Sequence, residues 1–335
     1  MQAAIYGLEG FELKADERAF FRDAEPAGFI LFRRNCENQD RLLRLTDALR
    51  SIAGRDDVPI LIDQEGGRVA RMQPPEWPAF PAAEKFALLY RAAPSAAIEA
   101  VRANARALGL MLRSCGINVN ALPLLDVRQE GATDIIGDRA LGSEPMQVAA
   151  LGRAVLDGMA TAGVVGIIKH MPGHGRALVD SHKELPVVTA SAEELEIDLE
   201  PFERLSSAPM GMSAHVVYEA WDAERPASLS PTVIEDIIRE RIGFDGWLMS
   251  DDLGMEALKG DFASRAAGVV AAGCDVALHC SGKMDEMIAV AAAAPAMSPE
   301  SHDRLARAMA GTRIDFDDVD FAQEISKRDQ LLALA

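Results

Sequence analysis

Eight short apolar segments alternate with helical patterns along this chain of 335 residues. Unbroken apolar runs of this length, each followed by a polar or glycine-containing turn, are typical of strands covered on both faces. Alternation with helices requires parallel strands joined by right-handed crossovers, and closing the eighth strand against the first makes a (β/α)8 barrel. The segments, which begin at residues 3, 28, 58, 117, 164, 209, 246 and 274, are AAIYGL, GFILF, VPILID, INVNALPLL, VVGIIKH, PMGMSAH, GWLMSD and CDVALHC.

The stretches between these segments carry helix signals. Apolar residues repeat at intervals of three and four from residue 42 to residue 52, Pro94 opens a second such pattern, and Ser191 with Glu194 forms a capping box. An open, doubly wound sheet is the alternative architecture, because alternation alone does not require closure. We expect one barrel domain over residues 1–335, with terminal helices after about residue 281.

The composition limits the classes of molecule that the protein is expected to bind. The formal net charge of −18 disfavours nucleic acid and anionic lipid, because both repel an acidic protein. The start lacks the pattern of a secretory signal, and the sequence has no apolar span long enough for a membrane helix. Four scattered cysteines without a C-x-x-C favour reduced thiols. We therefore expect a cytoplasmic protein, and a monomer.

Polar residues collect where the predicted strands end. Active sites of (β/α)8 barrels lie at the carboxyl ends of the strands, and charged groups are costly to bury without partners. One shared pocket explains these residues better than packing does. They are Asp63, Asp126, Lys169, His170, His215 and Asp251, with His279 inside its strand.

The segment KHMPGHGRALVDSH, residues 169–182, holds half of the six histidines. Its residue types would suit a zinc site, although Lys169 adds a positive charge that favours an oxygen-rich ligand over a cation. A metal-dependent hydrolase therefore remains an alternative. Motifs of serine hydrolases and of dinucleotide or phosphate loops are absent from the sequence. The candidate metal ligands are His170, His174, Asp180, His182 and Asp251.

A glycosidase fits the same residues better. Such an enzyme needs one ionised carboxylate at the anomeric carbon and one acid for the leaving oxygen. Asp251 can be the first and His182 the second. Asp180, two residues before His182, can fix its tautomer and favour the imidazolium form. The spacing alone is equally compatible with a solvated polar loop.

Several ordered motifs resemble the family 3 glycoside hydrolases, in particular the single-domain bacterial β-N-acetylglucosaminidases of peptidoglycan recycling. The resemblance spans roughly residues 5–280. The motifs are GFILFRRN (28–35), DQEGGRVAR (63–71), DRALG (138–142), KHMPGHG (169–175), DSH (180–182), SAHVVY (213–218), GFDG (243–246) and MSDDLGM (249–255).

The resemblance implies a retaining exo-enzyme that releases terminal β-linked N-acetylglucosamine from cell-wall fragments through a covalent intermediate. It makes Asp251 the nucleophile, His182 the acid/base and Asp180 the partner of His182. It implies no metal and no cofactor. The partner that it implies is a small saccharide. The implied sugar-binding residues are Asp63, Arg71, Arg139, Lys169, His170 and His215. For His215, a role in the pocket and a role in core packing are equally compatible with the sequence.

Other positions carry narrower expectations. Alternation along a strand predicts that Asp251 and Asp252 do not both face the sugar. Glu65 is expected to be a partner for an arginine, and His174 to stabilise its turn. His279 and the cysteines are expected in the core, and Met171 and Gly254 depart from the family pattern. Because few residues follow the eighth segment, the acid should come from a loop of the barrel. A catalytically inactive saccharide sensor is a further alternative.

Overall fold

The computed structural model describes residues 1–129, 131–132, 134–181, 184–312 and 320–334. Eleven strands are present in these residues, of which eight form a closed parallel barrel; β6, β8 and β9 form a separate three-stranded sheet. In chain order the strands are β1 (Gln2–Gly7), β2 (Pro26–Leu31), β3 (Ile60–Ile62), β4 (Val119–Asn120), β5 (Val165–Met171), β6 (Val187–Val188), β7 (Met210–Ser213), β8 (Val217–Tyr218), β9 (Asp222–Pro226), β10 (Trp247–Asp252) and β11 (Val276–His279).

The barrel closes where β11 pairs in parallel with β1, through Ala4 opposite Ala277 and Tyr6 opposite His279. Each barrel strand comes from one of the eight apolar segments, so the predicted (β/α)8 architecture is confirmed and an open sheet is excluded. The observed strands are often shorter than the segments, and β4 has only two residues.

Both faces of the barrel strands are covered, which explains why the segments are apolar without alternation. In β1, Ala3 and Ile5 pack inside the barrel, whereas Ala4 and Tyr6 pack outward in the core under the helices. All four side chains are fully buried. Burial on two faces removes the need for a polar face and produces the unbroken runs.

Helices cover the outside of the barrel. Among the helices that the structure describes, none combines the length and hydropathy that a membrane span requires. A π-helix covers Val233–Arg241. The α-helices are α1 (Ala15–Ala24), α2 (Gln39–Ala53), α3 (Ala83–Ala92), α4 (Pro94–Ser114), α5 (Pro145–Ala160), α6 (Ala192–Arg204), α7 (Phe262–Ala271), α8 (Met284–Ala293), α9 (Pro299–Met309) and α10 (Phe321–Leu332).

The helix signals in the sequence correspond to observed helices. Pro94 is the first residue of α4, and the hydroxyl of Ser191 accepts a hydrogen bond from the backbone N–H of Glu194 at 3.3 Å. The Glu194 carboxylate accepts one from the backbone N–H of Ser191 at 2.8 Å, so the capping box that opens α6 is confirmed. Helices α8 to α10 follow β11.

Candidate active site

A cavity of about 270 Å³ opens at the carboxyl ends of the barrel strands. It lies where the polar ends of β3, β5 and β10 meet, because parallel strands in a closed barrel all end at one rim. Ile30, Met212 and Leu278 give it an apolar floor. Six of the predicted site residues line it, namely Asp63, Arg71, Arg139, Lys169, His170 and Asp251.

A buried cluster of five charges forms one wall of the cavity. Nζ of Lys169 lies 3.1 Å from Oδ1 of Asp63 and 2.7 Å from Oε1 of Glu65. Arg71 donates to Oδ2 of Asp63 at 3.0 Å. Arg139 donates through Nε and Nη2 to the two oxygens of Glu65, both at 2.8 Å. The expectation that Glu65 pairs with an arginine is therefore confirmed.

The electrostatics of this cluster keep all of its members charged. Burial alone would raise the pKa of the Asp63 and Glu65 carboxyls, but Lys169 and the arginines outweigh it and lower the pKa of both. Burial alone would lower the pKa of Lys169, but the two carboxylates raise it. Three cations face two carboxylates, so the wall suits a neutral ligand rich in oxygen.

His170 lines the cavity, and its ring is held from behind by Asp126. Nδ1 of His170 lies 2.8 Å from Oδ2 of Asp126. The backbone N–H groups of His170 and His174 donate to Oδ1 of the same carboxylate at 3.1 and 2.7 Å. Asp126 is fully buried and directly follows the fourth predicted segment. The sequence analysis placed it with the other polar residues at the strand ends, and the structure shows that it acts from behind His170.

His174 also contributes to the cavity wall. Its Nε2 lies 3.3 Å from the hydroxyl of Ser181, in the middle of the DSH triplet, and its carbonyl accepts from the backbone N–H of Ala177. These contacts agree with the predicted role in stabilising the turn. Burial lowers the pKa of His174 to about 4, so the ring is neutral at physiological pH.

Asp251 and Asp252 both line the cavity, and the expectation that they do not both face the sugar stays a prediction. The pairing of β10 with β11 shifts register between Met249 and Asp252, and this irregularity breaks the strict alternation of side chains. The two carboxylates still differ in their surroundings. Oδ1 of Asp252 accepts from the backbone N–H groups of Gly254 and Cys280, both at 3.0 Å, which holds it as part of the framework.

His215 is fully buried at the end of β7. Nδ1 lies 2.6 Å from the hydroxyl of Ser228, and Nε2 lies 3.0 Å from the carbonyl of Asp252. Both ring nitrogens are thus engaged within the protein, and His215 is not among the described residues that line the cavity. Burial lowers its pKa. The contact with Asp252 makes it a support for the strand that carries Asp251.

The structure describes part of the DSH triplet. Asp180 is half-buried, and its carbonyl accepts from the backbone N–H of Glu184 at 3.1 Å. Ser181 lines the cavity, which brings the end of this loop to the same space as Asp251. His182, the predicted acid/base, lies outside the described residues.

Phe32, at the end of the second segment, completes the side of the cavity near Arg71. The guanidinium carbons of Arg34 and Arg71 lie 4.8 and 5.2 Å from the centre of its ring. Arg34 donates to the carbonyl of Leu8 at 2.6 Å and to that of Cys280. The FRRN end of the motif GFILFRRN therefore links the ends of β1 and β11, the two strands that close the barrel. Its Phe32 ring also supports Arg71.

Arg68 joins the two loops that carry most of the charged wall. Its Nε donates to Asp138 at 2.7 Å, and its Nη2 donates to the carbonyls of Asp134 and Ile135 at 2.6 and 2.8 Å. The loop after β4 is thereby tied to the loop after β3. Arg68 could not be assigned from the sequence, because the contact depends on two loops distant in the chain.

The metal-site alternative finds no additional support in the described ranges. Within them, no group of three or more His, Cys, Asp or Glu is arranged to hold a metal ion. His182, one of the ligands that this alternative requires, lies outside them.

Comparison with known proteins gives the family. Residues 2–309 match the glycosyl hydrolase family 3 N terminal domain. Proteins named beta-hexosaminidase are similar: that of Methylococcus capsulatus is 38% identical over 319 residues, 93% of each chain, and that of Alkalilimnicola ehrlichii is 38% identical over 90% of this chain and 87% of the relative.

Solved structures agree with these relatives. NagZ from Neisseria gonorrhoeae, crystallised with N-trifluoroacetyl-D-glucosamine, matches with a TM-score of 0.88 and 31% identity over 100% of this chain and 98% of that chain. A family 3 beta-N-acetylglucosaminidase from Paenibacillus sp. matches with a TM-score of 0.84 and 29% identity over 98% of this chain and 66% of that chain. The resemblance predicted from the motifs is confirmed, and the chain belongs to glycosyl hydrolase family 3 and is a glycoside hydrolase.

Proposed function

We propose that this chain is a retaining exo-β-N-acetylglucosaminidase with Asp251 as its nucleophile. The observation that carries the proposal is that Asp251 shares one cavity with the charged wall of Asp63, Lys169 and Arg71. A carboxylate at the anomeric carbon and a set of hydroxyl-binding groups are the two parts that a glycosidase needs. The names of the relatives and the sugar in the NagZ structure support the N-acetylglucosamine preference.

The first chemical step joins the enzyme to the sugar. An oxygen of Asp251 attacks the anomeric carbon while the glycosidic bond breaks and His182 gives its proton to the departing oxygen. Asp180 is the partner that stabilises the His182 imidazolium. In the second step, water attacks the same carbon, His182 takes its proton, and Asp251 is released. The anomeric configuration is retained because two inversions occur.

The charged wall binds the sugar through hydrogen bonds to its hydroxyl groups. Asp63 accepts hydroxyl protons, and Lys169 and Arg71 donate to hydroxyl oxygens. His170 adds a ring nitrogen, and Arg139 is positioned by its two bonds to Glu65. His215, which the family resemblance implies as a sugar ligand, acts in this proposal as a support behind Asp252.

The size of the cavity supports removal of one terminal sugar. At about 270 Å³ it is smaller than the ~300–1,000 Å³ typical of pockets for drug-sized ligands, and suits a single sugar ring. We propose cell-wall fragments as the substrate and a single-domain, metal-independent monomer of the cytoplasm as the working form. All four cysteines lie in the described part of the chain and none is in a disulfide, which supports a reducing compartment.

Trapping the intermediate tests the proposal directly. The protein is incubated with a fluorinated N-acetylglucosaminyl fluoride, which forms the covalent intermediate faster than water releases it, and the labelled peptide is mapped by mass spectrometry. We expect the label on Asp251. A label on another residue, Asp252 included, overturns the assignment.

Two further measurements separate the alternatives. Turnover of a chromogenic N-acetylglucosaminide excludes the inactive sensor, and lower turnover of the matching glucoside supports the N-acetyl preference. Full activity after dialysis against a chelator excludes the metal-dependent hydrolase. Loss of activity that added zinc restores would replace the proposed mechanism.

A further inference from the structure

Asp126 is a fully buried carboxylate that takes no part in the mechanism described so far. Its two oxygens have different partners. Oδ1 accepts from two backbone N–H groups, those of His170 and His174, whereas Oδ2 faces Nδ1 of the His170 ring at 2.8 Å. One oxygen therefore anchors the backbone, and the other holds a ring that lines the cavity.

The contact with Oδ2 determines where the His170 ring carries its proton. An ionised carboxylate only accepts hydrogen bonds, so Nδ1 must be the protonated nitrogen. Nε2, on the opposite side of the ring, is then the nitrogen presented to the cavity. Burial alone would raise the pKa of Asp126, but His170 and His174 lower it to about 2, so the carboxylate remains ionised at any pH at which the enzyme is assayed.

The neighbouring groups explain why a hydrogen-bond acceptor is useful at this position. Lys169 and Arg71 can only donate hydrogen bonds, and Asp63, which also accepts from both of them, has limited acceptor capacity left for the sugar. A sugar hydroxyl is a donor as well as an acceptor, so the wall needs a further acceptor. In its neutral form, with the proton on Nδ1, the His170 ring offers Nε2 as that acceptor.

We propose that Asp126 is a positioning residue for the glycosidase reaction, which acts by fixing the tautomer of His170 and turning its Nε2 toward the sugar. The role of His170 as a sugar ligand rests on the proposed function. The tautomer of His170 does not depend on the proposed function, because it can be measured on the protein without substrate.

The substitution D126N separates this role from that of a backbone anchor. The amide oxygen can replace Oδ1 and still accept from the two backbone N–H groups. The amide nitrogen then replaces Oδ2 and donates to Nδ1, so the ring proton must move to Nε2. The shape is preserved, and the tautomer is reversed.

The first readout is the tautomer, measured by ¹⁵N NMR of histidine-labelled protein with His170 assigned by comparison with H170A. We expect protonated Nδ1 in the parent and unprotonated Nδ1 in D126N. A parent spectrum with unprotonated Nδ1 overturns the proposal, whether or not the protein cleaves N-acetylglucosaminides.

The second readout is kinetic and uses an aryl N-acetylglucosaminide. Carboxylates that orient metal-bound histidines typically contribute about 10- to 100-fold, and we expect kcat/KM to fall by a similar factor in D126N. D245N, which alters an exposed carboxylate that pairs with Arg304 and Arg307 before the start of β10, is the matched control and should be unchanged. Both variants should keep the Tm of the parent within a few degrees.

Double variants show whether Asp126 acts through His170. In an H170A background, D126N should change kcat/KM by less than about twofold, because the ring it orients is gone. A full additional loss in that background would mean that Asp126 serves only the backbone, and would overturn the proposal. No turnover by the parent would refute the proposed function and leave the NMR result standing.

Discussion

Lys169 is the residue on which the charged wall depends. Its side chain is 3% exposed, and its ammonium lies between the carboxylates of Asp63 and Glu65, which it alone bridges among the described residues. The sequence predicted its place at a strand end, since a lysine that directly follows the apolar run VVGII needs a buried partner. The identity of the second partner, Glu65, depends on how the loop after β3 folds back.

Replacing Lys169 by Met should destabilise the protein strongly at neutral pH. The variant leaves Asp63 and Glu65 facing each other without the shared cation, and breaking a buried pair in this way costs about 3–5 kcal/mol. Without Lys169 the pKa of both carboxyls rises, so part of the loss should be recovered as pH falls toward 5. Urea unfolding at pH 7 and pH 5 measures both effects.

The matched control for this change is Lys283→Met. Lys283 is 68% exposed and pairs with Glu286 on the surface of the protein. Exposed pairs of this kind contribute little, so the control should unfold within about 0.5 kcal/mol of the parent. Equal unfolding free energies for the parent and Lys169→Met would contradict the account of the wall.

His182→Ala tests the acid/base assignment at the same scale. General acid catalysis contributes about 10²- to 10⁴-fold, and the need for it falls as the leaving group improves. The variant should lose far more activity on a sugar-linked substrate than on an activated aryl glycoside. His302→Ala, in α9, serves as the control and should retain both activities. A similar loss on both substrates would count against His182 as the acid.

Single site residues could be predicted where they lie at the end of an apolar strand. They were harder to predict where their contacts depend on how the loops fold. Asp63, Lys169, His170 and Asp251 were placed correctly in the cavity. Whether Asp251 and Asp252 both face the sugar stays a prediction, and the local irregularity of β10 could not be seen in an alternating pattern. His215 shares the strand-end signal, yet its ring nitrogens bond to Ser228 and Asp252.

At the scale of the elements, the strands were more predictable than the loops. Unbroken apolar runs mark every barrel strand, because each is buried on two faces. The small sheet of β6, β8 and β9 was not predicted. Two of its strands have only two residues, and Asp222–Pro226 is mostly polar, so neither length nor periodicity distinguishes them from loops.

Helix α10 connects the end of the chain to the active-site side of the barrel. The buried Arg328 of α10 donates to Oδ1 of Asn104 at 3.2 Å, and its guanidinium carbon lies 5.6 Å from the centre of the Phe80 ring. The carbonyl of Phe80 accepts from the backbone N–H of Gly67, within the motif DQEGGR, at 2.9 Å. The family match ends at residue 309, before this helix.

Arg328→Ala should therefore weaken the attachment of α10. Loss of a charged hydrogen bond and of a cation–π contact predicts a decrease of about 2 kcal/mol in the free energy of unfolding. Lys327→Ala is the adjacent control, since Lys327 is 52% exposed and pairs only with Glu99 among the described residues. Urea unfolding compares the two. A decrease in the control as large as in Arg328→Ala would show that the loss does not come from the contacts of Arg328 with Asn104 and Phe80.

At the scale of the whole molecule, closure of the barrel is what creates the site. Lys169 and Asp63 are 106 residues apart in sequence, and Asp251 comes from a third strand. Only a parallel arrangement that ends every strand at one rim brings such distant positions together. The fold class and the location of the site therefore followed from one pattern, whereas the hydrogen bonds within the site required the structure.

The whole molecule should also lose stability in mild acid. Burial lowers the pKa of His174 and His279 to about 4 and lowers that of His215 as well. Below pH 6.5 the unfolded chain binds protons at these rings that the folded chain does not, so stability falls as pH decreases toward 4. Asp198 and Asp252 oppose this trend, because burial raises the pKa of Asp198 to about 6 and raises that of Asp252 as well.

Three histidines outweigh these two carboxyls, so Tm should be lower at pH 5 than at pH 7. Each ring with a folded pKa near 4 contributes on the order of 1–2 kcal/mol of this loss at pH 5. His279→Gln isolates one of them, because His279 lies outside the described cavity lining and its Nε2 contact to Ser281 can be kept by an amide. The difference in Tm between the two pH values should therefore be smaller in the variant. An unchanged difference would mean that His279 does not remain neutral in the folded protein.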